Sequence, residues 1–131
     1  MNTFTKSSRL KSRKKLQQLF SEGKSIRTGN IRLVYLTEEA LTADVKCGVG
    51  VPSRHFKNAT DRNRIKRLLR EAYRLQQHAV QQHIAHTPRQ LSVFFLFSGK
   101  DLPDYNSLYK NVEVALQKLL TALGADTAKN I

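Results

Sequence analysis

A run of arginines on one predicted helix is the part of this sequence with the clearest chemistry. Residues 61–74 read Asp-Arg-Asn-Arg-Ile-Lys-Arg-Leu-Leu-Arg-Glu-Ala-Tyr-Arg. At 100° per residue the apolar side chains form one stripe, and the opposite face carries Asn63, Arg67, Arg70 and Arg74. Arg64 and Lys66 flank that face, and Arg62 lies nearer the stripe. Because planar guanidinium groups bind phosphate bidentately, the spacing predicts a helix that lies along a phosphate backbone.

The charge of the whole chain also favours a polyanionic partner. The 131 residues include 23 Lys and Arg against 10 Asp and Glu, a formal net charge of +13. Nearly all of the excess lies within residues 1–74, in basic clusters at 6–32 and 54–74. Such a surface repels itself in the compact state, so it indicates nucleic acid first and an anionic membrane second. The longest apolar run, residues 93–97, is far too short to span a bilayer.

The sequence shows no evident catalytic site of the protein's own. It contains no paired-carboxylate motif, no phosphate-binding glycine loop and no nucleophile elbow. His78, His83 and His86 do not share one helical face, so we expect no protein-held metal site. Cys47 lies on the apolar face of a predicted strand and is interpreted as a small core residue. With one cysteine and no secretory signal at the basic N-terminus, we expect a soluble cytoplasmic protein.

The elements that must position the arginines follow from hydrophobic periodicity. We expect a single domain over residues 1–131, with a flexible basic segment at 1–11 and a tail at 124–131. The predicted helices cover residues 12–22, 61–77 and 104–123, with N-caps at Ser12 and Asp61. The predicted strands cover residues 30–37, 45–51 and 91–97, and residues 78–90 read as a loose connection. On the second strand Gly48 and Gly50 share a face, which indicates close packing there.

The arginine segment resembles the Arg-Asn-Arg box of the bacterial ribonuclease P protein component. The family pattern continues with a basic pair and Leu-Arg-Glu, as this sequence does at residues 66–71. Residues 4–6, 9–11 and 20–23 resemble the family's N-terminal block, and residues 48–51 resemble the strand before the box. The resemblance covers residues 4–120. Two departures stand out: Leu16 occupies a usual Phe position, and the turn at residues 52–59 is about one residue longer.

The resemblance implies an α+β fold. The family has a two-layer sandwich in the order αβββαβα, with an unusual left-handed β-α-β crossover. It is similar to a domain of a small-subunit ribosomal protein and to the fourth domain of elongation factor G. The periodicity predicts three strands, whereas the family order contains four. We therefore expect the remaining short strand at residues 24–29 or near 38–43.

The resemblance also implies a function: the protein subunit of ribonuclease P, which removes the 5′ leader of precursor tRNA. In that family a large RNA performs the hydrolysis with Mg²⁺, and the protein assists. The expected partners are therefore ribonuclease P RNA and precursor tRNA. The residues expected to contact the RNA subunit are Arg62, Asn63, Arg64, Lys66, Arg67, Arg70 and Arg74. The residues expected to line a leader cleft between the first helix and the sheet are Leu16, Phe20, Arg32 and Tyr35.

Two other functions are compatible with the charge. A structural RNA-binding protein, such as a ribosomal or assembly factor, would share both the charge and the fold. A DNA-binding module is less favoured, because arginines on several sides of a helix suit RNA backbone better than base-edge readout.

Overall fold

A computed structural model describes residues 13–129 of the chain, and side chains as far as residue 124. The predictions for residues 1–11 and for Ser12 lie outside the described residues. The elements in chain order are α1 (Arg13–Glu22), β1 (Lys24–Thr28), β2 (Ile31–Glu39), β3 (Asp44–Gly50), α2 (Ala59–Gln76), α3 (His78–Ala85), β4 (Arg89–Phe97) and α4 (Tyr105–Lys129).

The four strands form one mixed sheet in the order β1-β2-β4-β3. β1 and β4 run antiparallel to β2, whereas β3 and β4 are parallel neighbours. Parallel neighbours require a crossover connection, and here the crossover consists of α2 and α3. The predicted α+β class and the order of elements are confirmed, with α3 as an additional short helix. The left-handed sense of the crossover stays a prediction.

The two faces of the sheet are covered unequally. On one face, side chains from all four strands pack against α2, α3 and α4 in the main core, around the fully buried Phe95 and Phe97. On the other face α1 covers only part of the sheet. There a small cluster forms around Leu19, Val34 and Phe94. The domain is therefore a two-layer sandwich with one extra helix over the outer face of its sheet.

The structure locates the remaining strand, and two other elements differ from the sequence predictions. The missing strand is β1, one of the two expected places. Residues 78–90 are not a loose connection, because α3 and the start of β4 occupy most of them. Only Val80 and Ile84 of α3 are buried, which is too narrow an apolar stripe to stand out in a polar segment. α4 continues through Gly124, which lacks the positive φ of a helix-ending glycine.

The hairpin between β1 and β2 is anchored to α4. Gly29 at the turn has φ of 57°, a left-handed conformation that glycine adopts without a steric penalty. The hydroxyl of Thr28 donates to the carbonyl of Asn111 over 2.9 Å. The side-chain amide of Asn111 in turn donates to the Asn30 side chain over 2.9 Å. One α4 residue therefore fixes both ends of this turn.

We expect the same substitution at two glycines to change stability in opposite directions. Gly29→Ala should lower the free energy of unfolding by about 1–2 kcal/mol, because alanine is strained in the left-handed region. A Cβ there would also lie 2.7 Å from the Asn111 amide nitrogen.

Gly124→Ala is the matched control, because no atom lies within 4 Å of a Cβ at Gly124. Alanine in a helix should raise the free energy of unfolding by about 0.5–1 kcal/mol. Urea unfolding followed by circular dichroism measures both changes. Equal effects of the two variants would show that the hairpin turn is not constrained as described.

Candidate RNA interface

The polar face of α2 begins at a defined N-cap. The side chain of Asn58 accepts a hydrogen bond from the backbone N–H of Thr60 over 2.9 Å. The predicted cap at Asp61 is therefore wrong, and the helix begins two residues earlier, at Ala59. Asp61 instead lies in the first turn, where a negative charge is favourable to the helix dipole.

Arg62 braces the turn that leads into α2. Its Nη1 donates to the carbonyl of Phe56 over 2.6 Å and to the carbonyl of Lys57 over 2.8 Å. Phe56 is itself buried and its ring packs against Phe97, with centroids 5.9 Å apart. The structure thus gives Arg62 a positioning role in the fold, and its predicted contact with RNA stays a prediction.

The rest of the basic segment has the exposure that its periodicity predicted. Ile65, Leu69, Ala72 and Tyr73 are buried against the core. Asn63, Arg64 and Arg67 are exposed, and Lys66, Arg70 and Arg74 are half-buried. We call these last six residues the box face. The arginine segment therefore presents a basic, solvent-accessible surface on a helix whose other side is fixed in the core.

An ion pair lies at the C-terminal end of the box face. Nη2 of Arg74 lies 2.6 Å from Oε1 of Glu71, and Nε lies 3.1 Å from Oε2. The hydrogen bonds from Arg74 lower the pKa of Glu71, so the pair is intact at neutral pH. It is lost only as the pH falls through that lowered pKa. A phosphate that approaches Arg74 must therefore compete with Glu71.

A second surface is the uncovered part of the sheet beside α1. Lys15 forms an ion pair with Glu38 of β2, which holds the N-terminal half of α1 over that strand. Leu19 is fully buried beneath the helix, and Leu16 packs beside it. Phe20 is 44% exposed, and its ring meets Phe94 of β4 edge-on, with centroids 5.2 Å apart.

The floor of this surface is a phenylalanine of β4 that packs over a glycine of the neighbouring strand β3. A Cβ at Gly50 would lie 2.7 Å from Cζ of Phe94, so the Phe94 ring occupies the space above β3 that a side chain would fill. The close packing predicted at the glycines of this strand is therefore confirmed at Gly50. We call the surface formed by Leu16, Phe20, Phe94 and Leu96 the aromatic cleft. Sequence reasoning missed Phe94, because its position opposite Gly48 depends on how β3 and β4 pair in the sheet.

Tyr35 does not belong to the aromatic cleft. It shares the face of β2 that carries Ile31 and Leu33, is 5% exposed, and lies in the main core. A ring buried on the far side of the sheet cannot stack on a base in the cleft, so this assignment is corrected. Arg32 is on the cleft side of β2, as expected, and is half-buried.

Neither a metal centre nor a membrane span is found in the part of the chain that the structure describes. Within residues 13–129, no three His, Cys, Asp or Glu side chains lie together in a group that could hold a metal ion. None of the described helices combines the length and the apolar character needed to cross a bilayer.

Comparison with known proteins places the chain in a family. The family model described as Ribonuclease P matches residues 4–120, which is most of the chain. This chain belongs to the ribonuclease P protein family. It is 34% identical over 123 residues to the ribonuclease P protein component of Porphyromonas gingivalis, covering 93% of this chain and 87% of the relative.

Solved structures of ribonuclease P proteins share the fold. The Staphylococcus aureus RNase P protein superposes with a TM-score of 0.63 at 20% identity, covering 87% of this chain and 96% of that one. The Thermotoga maritima RNase P protein superposes with a TM-score of 0.64 at 18% identity, covering 84% and 96%. At these identities the likeness concerns the fold alone.

We expect the one cysteine of this ribonuclease P protein to be chemically silent in the native state. Cys47 is 1% exposed, and burial raises the pKa of its thiol far above the ordinary value, while the charge of Arg70 only partly offsets this. Because the thiolate is the reactive form, a disulfide reagent at pH 8 should not modify native protein.

Unfolding in guanidinium should expose the thiol and give one equivalent of reaction. The exposed Ser53 provides a control, because the thiol of a Ser53→Cys variant should react at once without denaturant. Rapid modification of native wild-type protein would contradict the buried position of Cys47.

Proposed function

We propose that this ribonuclease P subunit binds two RNAs with two separate surfaces. The box face contacts the backbone of the ribonuclease P RNA, and the aromatic cleft takes the single-stranded 5′ leader of precursor tRNA. The protein thereby assists endonucleolytic removal of the leader, and the hydrolysis itself belongs to the RNA subunit.

The observation that carries the first assignment is the division of α2 into two faces. The apolar side is buried in the core, so the helix cannot rotate or withdraw its opposite side. That opposite side carries five cationic side chains, Arg64, Lys66, Arg67, Arg70 and Arg74. The acids on the same helix are Asp61 in its first turn and Glu71, which pairs with Arg74. A fixed row of cations suits a backbone of regularly spaced phosphates, to which each contact adds affinity by releasing counterions.

The aromatic cleft has the properties that single-stranded RNA requires. Phe20 keeps almost half of its surface exposed although its ring packs against Phe94 in a T-shaped pair, so part of the ring stays accessible to a base. Stacking on an aromatic ring contributes about 1–3 kcal/mol per base and tolerates any base. This tolerance suits a leader whose sequence varies from one tRNA to another.

Mg²⁺ enters the proposal as a cofactor of the RNA subunit. The described residues offer no cluster of carboxylate or histidine side chains that could hold the ion, so they do not fit a protein-held metal site. The chain's own residues therefore bind and orient RNA. A test of the whole assignment is cleavage of precursor tRNA by ribonuclease P RNA at low Mg²⁺, with and without this protein. A purely structural RNA-binding protein would leave the cleavage rate unchanged.

Replacement of Arg67, Arg70 and Arg74 by Gln should weaken binding to ribonuclease P RNA. Glutamine keeps a similar helix propensity, and none of the three arginines is fully buried, so the fold should persist. The slope of log affinity against log salt should shrink by about 2–3 units, since each lost phosphate contact removes roughly 0.7–0.9. Cleavage should recover when Mg²⁺ is raised.

A charge-matched control removes Lys100, Lys110 and Lys118, which are exposed outside α2. This triple Gln variant should retain most of the salt slope. If both triple variants lose the same slope, the box face has no special role and only total charge matters.

Phe20→Ala should weaken binding of precursor tRNA to the holoenzyme and leave mature tRNA nearly unaffected. We expect a loss of about 1–3 kcal/mol for the leader-bearing RNA, the range for one stacked base. The core should tolerate the change, because the exposed ring contributes only part of its area to packing.

The matched control is Leu102→Ala, which removes a similarly exposed apolar side chain (48% against 44%) from the loop after β4. It should affect neither RNA. An equal loss for both RNAs in Phe20→Ala would instead assign Phe20 to general packing.

A further inference from the structure

Two arginines stand directly opposite each other on the hairpin of β1 and β2. Arg27 and Arg32 are Cα partners in this antiparallel pair, so their side chains leave the same face of the sheet. Like charges at directly opposed positions destabilise a sheet, and arginine keeps its charge in proteins. A cost of this kind is expected where a ligand compensates for it.

Neither arginine is compensated within the described part of the chain. Arg27 is exposed, and Arg32 is half-buried with its Nε enclosed and without a hydrogen-bond partner among residues 13–129. The ion pairs observed among these residues involve other cations: Lys15, Lys46, Arg74 and Lys110. The two guanidinium groups are therefore available to bind an anion, because no described acidic side chain pairs with either of them.

The pair lies at one end of the aromatic cleft. α1 runs along β2 from Glu38, where Lys15 contacts it, to Val34, whose side chain adjoins Gly23 after the helix. The next residue of β2 on that face is Arg32, whose partners across the sheet are Arg27 on β1 and Leu96 on β4. The arginines therefore follow directly on the cleft, beyond the C-terminal end of α1.

The helix end by itself cannot balance this charge. The C-terminus of a helix provides about half of one negative charge, less than the two positive charges of the pair. Glu22, the last residue of α1, forms no observed ion pair with either arginine among the described residues. One of its carbonyls, that of Leu19, already accepts a hydrogen bond from the backbone N–H of Gly23 over 2.8 Å. An additional anion is needed to neutralise the pair.

We propose that Arg27 and Arg32 clamp one backbone phosphate of the leader at the end of the aromatic cleft. This inference rests on the proposed leader-binding role of the cleft. Neighbouring strands lie about 4.8 Å apart, which allows two planar guanidinium groups to reach the oxygens of one phosphate. The clamp is rigid, because Asn111 fixes both ends of the hairpin turn beside it.

A phosphate clamp beyond a stacking surface makes the protein sensitive to leader length. Stacking on Phe20 requires only that the leader enters the cleft, whereas the clamp requires a phosphate at a fixed distance from it. Neither contact depends on base identity. Affinity should therefore rise in one step when the leader gains the nucleotide whose phosphate reaches the two arginines.

The test replaces the leader phosphates one at a time by uncharged methylphosphonates and measures binding to the holoenzyme. With wild-type protein, one position should lose affinity by about ten- to a hundredfold, in the range of a single charge-assisted contact. With Arg27→Gln/Arg32→Gln, the unmodified leader should bind more weakly by the same factor. The methylphosphonate at that position should then cause no further loss.

Two controls keep the outcome decisive. Arg27→Gln alone changes an exposed side chain, so it tests the clamp in a protein whose core is untouched. Lys110→Gln/Lys118→Gln removes the same charge from α4 and should keep the wild-type methylphosphonate profile. The clamp is refuted if the arginine variants also keep that profile. In that event a leader-specific loss in Phe20→Ala would still support the cleft, whereas no leader dependence in either would refute the proposed function itself.

Discussion

Burial of β4 on both faces is the constraint on which the rest of the structure depends. Leu91, Val93, Phe95 and Phe97 of this strand point into the main core, and Ser92 and Phe94 are buried on the opposite side. β4 is also the only described strand that joins the antiparallel part of the sheet to the parallel part. Each large apolar side chain buried here contributes about 1.5–3 kcal/mol, so the register of β4 is strongly determined.

The two proposed RNA surfaces lie on opposite sides of this strand. α2 packs on the face that carries Phe95. The ring centroid of Phe95 lies 5.7 Å from the ring centroid of Tyr73 in α2. The aromatic cleft lies on the face that carries Phe94. Because a packed sheet transmits position without deforming easily, the distance between the two surfaces is fixed by the fold. A subunit of this kind can hold one RNA at a set position relative to another.

Without bound RNA, the positive charge of these surfaces lowers the stability of the protein. Ion pairs on the surface are each worth about 0–1 kcal/mol, and those observed here are partly exposed, so they offset little of the self-repulsion that the +13 net charge causes. The same charge that weakens the free protein by self-repulsion strengthens its association with RNA. The clustered arginines of α2 and the opposed arginines of the β1–β2 hairpin are thus two forms of one compromise between stability and binding.

The sequence by itself determined the local elements and the chemistry of α2. Strong 3.6-residue and two-residue periodicities located the main helices and three strands, and the Arg-Asn-Arg box indicated the family. Weak local signals left two possible places for the five residues of β1. They missed α3, which buries only two side chains, and they placed the cap of α2 at Asp61 instead of Asn58. β1 and α3 are stabilised mainly by neighbours that are distant in sequence, whereas the cap at Asn58 is a local contact with Thr60.

Only the tertiary structure decided which residues share a surface. Alternation along β2 separates Tyr35 from Val34, but it does not say which of the two faces will meet α1. That choice depends on where α1 packs, and it moved Tyr35 from the cleft to the core and brought Phe94 and Arg27 to the cleft side. The position of Arg62 could not be predicted from the sequence for the same reason. Its hydrogen bonds to the carbonyls of Phe56 and Lys57 depend on how the preceding turn folds back. Periodicity follows from the backbone geometry of residues that are neighbours along the chain. A site brings together residues that are distant in sequence, so the packing of the elements determines which residues it contains.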